Sequence, residues 1–123
     1  MLKFIRNLIP ALFILILSCG KPLPQLDQMD LDAWRTDTDG CLGHRMMMTE
    51  AITAQKEKLL ALDEKEIIYL LGKPDKNELY TRNQKFYSYY LYPAPSCNSG
   101  DSTTLTLIIR FNAMGLAKEI TIE

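Results

Sequence analysis

Three cysteines, one histidine and a run of tyrosines are the residues of this 123-residue chain whose types and spacing could do chemistry. Cys19 closes the stretch Ile16-Leu17-Ser18-Cys19-Gly20, which resembles a bacterial lipobox: an aliphatic residue three positions before the cysteine, a small residue directly before it, then the thiol that is acylated. Cys41-Leu42-Gly43-His44 sets a thiol and an imidazole three apart, a spacing that can share a metal's ligand sphere. A metal needs further ligands, and the chain holds neither a Cys-x-x-Cys nor a second histidine. With Cys19 assigned to lipid, Cys41 and Cys97 admit one pairing, and a disulfide between them is the expectation for an exported protein. Closing a loop of roughly 57 residues contributes on the order of 4 kcal/mol in the chain-entropy model. Asp37-Thr38-Asp39-Gly40 has the start of a calcium loop without its remaining ligands or closing Glu, and reads as a turn.

The lipobox gains its specificity from what precedes it. Met1 to Arg6 carries Lys3 and Arg6 and no acid, and Leu8 to Leu17 is an uncharged run, the n-region and h-region of an export signal. The run is short of the roughly 20 apolar residues a spanning helix needs, and Pro10 lies within it. Residues 1–18 are therefore expected to be a lipoprotein signal peptide, and residues 19–40 a lipidated tether. That stretch holds Pro22, Pro24 and five aspartates, with Trp34 the one residue able to dock on a domain. Residues 41–123 are the domain. The expected location is the cell envelope, probing the periplasm from the outer membrane; Gly20 after the cysteine, in place of an acid, is compatible with that sorting.

Charge narrows the partners. Fourteen Lys and Arg against fifteen Asp and Glu leave a formal charge of −1, which becomes −3 once Lys3 and Arg6 leave with the signal, so no basic field for nucleic acid exists. No Gly-rich phosphate loop and no Ser/His/Asp arrangement is present. The expectation is a chain that is not an enzyme and takes no metal or cofactor.

The elements that must position these residues follow from periodicity. His44 to Leu60 favours a helix, with Met48, Ala51, Ile52, Gln55 and Leu59 on one stripe. Asp63 with Glu66 three residues on predicts a capped second helix over 64–71, ended by Gly72 and Pro74. Residues 78–81 and 85–92 are strand-like. In the run from Thr104 to Phe111, Leu105, Leu107, Ile109 and Phe111 alternate with the intervening residues; Asn112 to Gly115 is a turn, and 116–122 repeats the alternation. The predicted fold is α+β, two N-terminal helices packed on a three- to four-stranded antiparallel sheet.

The capped segment Leu62-Asp63-Glu64-Lys65-Glu66-Ile67-Ile68-Tyr69-Leu70-Leu71-Gly72-Lys73-Pro74-Asp75, the aromatic strand after it, and Leu107 to Gly115 resemble the SmpA/OmlA (BamE-like) family of small outer-membrane lipoproteins. The resemblance spans residues 60–123 and implies the helix-helix-sheet layout that family shares with β-lactamase-inhibitor-like proteins. It also implies work in outer-membrane assembly or maintenance.

Alternation along 85–92 puts Phe86, Ser88, Tyr90 and Tyr92 on one sheet face and Tyr87, Tyr89 and Leu91 on the other. One set must lie opposite the helices, so Tyr80, Phe86, Tyr87, Tyr89, Tyr90 and Tyr92 are the candidate interface, tyrosine being enriched where proteins bind proteins. Cross-strand aromatic pairing within the sheet is the competing use. The function these features point to is binding of another envelope protein. The alternative is a small-ligand or lipid carrier using the seam between helices and sheet.

Overall fold

A computed structural model describes residues 22–98 and 103–123. The expected signal peptide and the expected lipid acceptor, Cys19, lie outside the described residues.

The sheet is a four-stranded antiparallel meander in the order β1 (Lys76–Tyr80), β2 (Gln84–Tyr90), β3 (Thr106–Phe111), β4 (Ala117–Ile122). β3 is buried at every second residue, as its alternation requires. Its register stacks Tyr87 against Ile109 and Ile120, and Tyr89 against Leu107 and Ile122, on one face. Asn112 makes the β3–β4 turn: its side-chain oxygen accepts from the Met114 and Leu116 amides, both at 3.0 Å.

Four α-helices among the described residues cover that face: α1 (Leu31–Thr36), α2 (His44–Met47), α3 (Thr49–Gln55) and α4 (Glu64–Leu71). α4 forms where the sequence places it, and its capping box is complete. Asp63 Oδ1 accepts from the Glu66 amide (2.8 Å), and Glu66 Oε1 accepts from the Asp63 amide (3.1 Å). Ile67, Leu70 and Leu71 are its buried face. Gly72 ends it at φ +79°, with Arg35 Cγ only 3.1 Å from where a Cβ would stand.

The helix expected over His44 to Leu60 is interrupted. Met48 and Gln55 leave helical geometry, and Lys56–Leu59 tightens into a 3-10 turn. The interruptions keep Met48, Ile52 and Leu59 on the core over a path that one straight helix would not follow.

The expected tether differs more. From Leu26 onward the described residues are folded onto the domain: Leu26 is buried, α1 is capped by Asp30, and Trp34 is fully enclosed. The boundary drawn at residue 40 is thus corrected, because this segment carries its own share of the core. Burying a large apolar side chain contributes about 1.5–3 kcal/mol, enough to hold a six-residue helix that would not form alone. Gly40, at φ +68°, lets the chain approach the sheet edge so closely that a Cβ would lie 2.9 Å from the Tyr90 carbonyl oxygen.

Candidate functional site

The pleat divides the aromatic strand between two environments. Tyr87 and Tyr89 point at the helices and are buried at 4% and 0% exposure. Their hydroxyls are spent internally. Tyr87 donates to Glu64 Oε1 (2.7 Å), which Lys85 Nζ also reaches (3.1 Å), and Tyr89 donates to the Gly72 carbonyl (2.8 Å). The Tyr87 ring meets Phe111 edge-on at 4.8 Å. Burial first, then the Glu64 hydrogen bond, pushes the Tyr87 hydroxyl far above its usual range; burial does the same to Tyr89. For Glu64, desolvation pushes the carboxyl up, but Tyr87 and Lys85 together outweigh it and the net shift is downward. Tyr87 and Tyr89 therefore leave the candidate interface, since core residues with satisfied hydroxyls have nothing to offer a partner.

Tyr92 leaves it too. β2 ends at Tyr90, and the Leu91 and Tyr92 amides both converge on the Leu105 carbonyl, at 2.8 and 3.2 Å. Strict alternation stops there, and the Tyr92 side chain packs half-buried against the core.

Tyr80, Phe86 and Tyr90 stay together on the outer face, which the helices do not cover. Tyr80 is half exposed and meets Phe86 edge-to-face at 4.8 Å and 84°. Its hydroxyl donates to Glu78, and that bond raises its pKa. Lys76 Nζ lies 5.7 Å from the Tyr90 ring centroid. Beside them Arg110 and Glu119 pair across β3 and β4 at 3.7 Å. Tyr80, Phe86, Ser88, Ile108, Arg110 and Thr121 share a shallow depression of about 570 Å³. Its lining mixes aromatic rings with polar side chains and charges of both signs, a composition that protein-binding surfaces also show.

Cys41 and Cys97 are joined by a disulfide with Cα atoms 5.4 Å apart. Among the described residues no three His, Cys, Asp or Glu side chains are grouped to hold a metal ion. His44 is exposed at the start of α2.

Next to the disulfide lies a buried ionic knot that the sequence reading missed. Arg45 is 1% exposed; its Nη1 sits 2.6 Å from Asp75 Oδ2, and its Nε donates to the Trp34 carbonyl at 3.0 Å. The guanidinium carbon lies 5.3 Å from the Trp34 ring and 5.6 Å from the Tyr89 ring, so the cation is held between two aromatic faces. Asp75 also accepts from the Asp39 and Tyr90 amides, and the fully buried Asp37 accepts from the Leu42 and Arg45 amides. Each carboxylate is hydrogen-bonded on both oxygens, the condition under which burying charge is tolerable. The knot joins α1, α2, the Pro74–Asp75 turn and the end of β2. Its chemistry is structural: every charged group in it is turned inward and occupied.

The seam between helices and sheet is filled by Trp34, Ile52, Leu59, Ile67, Leu71 and Phe111, all at 0% exposure. Among the described residues no helix is long and apolar enough to cross a membrane. Comparison with family models, with curated proteins and with solved structures returns no match, so the fold and this outer face are what the chain offers as its own description.

Proposed function

We propose that the chain is a non-catalytic envelope lipoprotein, anchored through Cys19 in the outer membrane, whose outer sheet face binds another envelope protein in outer-membrane assembly or maintenance. The observation that carries the reading is the division of β2: half-buried Phe86 and Tyr90, with exposed Tyr80 from β1, lie on the face that the helices leave open, while their neighbours Tyr87 and Tyr89 are locked in the core. The aromatic rings within this otherwise polar patch expose apolar area to water, and a complementary protein surface would recover that free energy. The filled seam favours this reading over carriage of a small ligand, which needs space inside the fold. The resemblance to SmpA/OmlA lipoproteins in the capped helix and the Phe111-to-Gly115 turn supports the same assignment.

The test is affinity purification from detergent-solubilised envelope with the wild-type chain and with Phe86→Ala/Tyr90→Ala. A stoichiometric protein partner that the wild type retains and the double variant loses is the expected result. Recovery of small molecules alone, or equal capture by both chains, overturns the proposal.

A further inference from the structure

The chain is clamped to the domain almost as soon as it leaves the lipid-acceptor cysteine. Lys58 Nζ donates to the Gln25 carbonyl (2.9 Å) and lies 3.3 Å from the Asp27 carboxylate. Gln55 and Asp27 exchange two hydrogen bonds: the Asp27 amide donates to Gln55 Oε1, and Gln55 Nε2 donates to the Asp27 carbonyl, both at 2.8 Å. Leu26 is buried between these contacts, and Leu23 packs against the same core. A side-chain amide that pairs with both backbone groups of one residue fixes register, so the chain cannot slide or peel there without losing several bonds together.

Only residues 20–22 separate Cys19 from Leu23. Four Cα-to-Cα steps span at most about 14 Å when fully extended. The polar layer on each side of a bilayer is roughly 5–7 Å thick. A domain held on so short a lead cannot float free of the surface or turn its far side to it.

Which side faces the lipid follows from the clamp. Gln25 and Asp27 are held by Lys58 of the 3-10 turn Lys56–Leu59, and Lys56 Nζ of the same turn donates to the Ile120 carbonyl of β4 at 3.0 Å. β1 is at the other end of the sheet, three strand spacings or about 14 Å away at about 4.8 Å per strand. Glu57 and Lys58 are solvent-facing at the clamped end, and Leu79 and Tyr80 at the distal one.

We propose, resting on the lipidation in the reading above, that the pole formed by Leu23, Gln25, Glu57 and Lys58 lies against the phospholipid headgroups of the bilayer that holds the protein's own acyl chains. The domain is thereby oriented with β4 toward the membrane and β1 away from it. The outer sheet face then stands on edge to the bilayer, with Tyr80 and the β1 edge its most accessible part.

The lipidated full chain reconstituted in phosphatidylethanolamine/phosphatidylglycerol vesicles containing a phospholipid with a photoreactive headgroup tests this, with adducts mapped by mass spectrometry. Adducts in 53–60 and none in 76–82 are expected. A variant with a Gly/Ser spacer of about ten residues between Lys21 and Pro22, a flexible coil in this composition, should lose the 53–60 adducts while keeping its fold and its acyl group. Equal labelling of both segments, labelling of 76–82 alone, labelling of neither, or adducts unchanged by the spacer overturns the orientation while leaving the anchor standing. A Cys19 that carries no acyl chain overturns the anchor and the orientation together.

Discussion

Phe86 and Tyr87 are adjacent in sequence, similar in size and on one strand, yet they belong to different parts of the molecule. Tyr87 sits at 4% exposure over Phe111 with its hydroxyl on Glu64, whereas Phe86 faces outward, half-buried, with Tyr80 edge-on against it. The inner face is closed by helices, and the hydroxyls of Tyr87 and Tyr89 on it both have partners in the fold. The outer face has rings and charges that pair with one another but that no helix covers. What separates them is the pleat and the helices above it, not composition, so an aromatic run by itself says how much contact area exists and nothing of who receives it.

The largest effect is expected at the knot that fixes the inner side. Arg45→Met removes the guanidinium that pairs with Asp75 and leaves that buried carboxylate without its cation. A loss of about 3–5 kcal/mol is expected in denaturant unfolding, a large part of a small domain's total stability. A variant as stable as wild type would mean that the knot is not buried as described.

Next in size is the disulfide. Cys41→Ser/Cys97→Ser frees a loop with a sequence separation of 56 and should cost about 4 kcal/mol by the entropy model, measured as the shift in unfolding midpoint. The α1 segment and Asp37 should loosen first, visible as faster amide exchange at Leu42 and Arg45, whose N–H groups Asp37 accepts.

Protonation gives a smaller and signed effect. Tyr87 and Tyr89 have folded pKa values raised above the unfolded value of about 10, so their contribution is fully present below pH about 10 and is lost as pH rises through the raised values. Ultraviolet titration should show these two ionising together with alkaline unfolding. Glu64 has the opposite sign: its depressed pKa contributes stability above the unfolded carboxyl value that disappears as pH falls through the folded one, and its partial exposure keeps that contribution small. Glu64→Gln should flatten the acid limb of a stability-versus-pH curve.

The smallest stability effect belongs to the outer face. Phe86→Ala should shift unfolding by no more than about 1 kcal/mol, because the residue is half-buried and supported on one side only. The same substitution on the inner face, Tyr89→Ala, should cost about 3–5 kcal/mol, close to other buried aromatic truncations.

Much of this layout is legible in the residues. Asp63, Glu66 and Gly72 mark both ends of α4 because caps are local chemistry, and the alternation through Leu107, Ile109 and Phe111 marks β3 because a half-buried strand permits little else. Alternation also sorts β2 into its two sets but does not say which one the helices cover. That depends on where α1 and α4 land. α1 escapes notice because six residues show no period, and its stability comes from Trp34 entering a pocket made by distant segments. The knot left one trace: Arg45 continues the stripe of Met48, Ile52 and Leu59 back by three residues, a cation where an apolar side chain belongs. Tyr92 is misplaced by pattern alone because two amides share one carbonyl at the end of β2, a tertiary detail without a local signature.

That one face of β2 is core and the other, as proposed, a binding surface can be tested by hydroxyl-radical footprinting of the chain in the envelope, its proposed location, and after purification. Tyr87 and Tyr89 should resist oxidation in both states, while Tyr80, Phe86 and Tyr90 should be protected in the envelope and oxidised once purified. Equal oxidation of Tyr80, Phe86 and Tyr90 in the two states would contradict it.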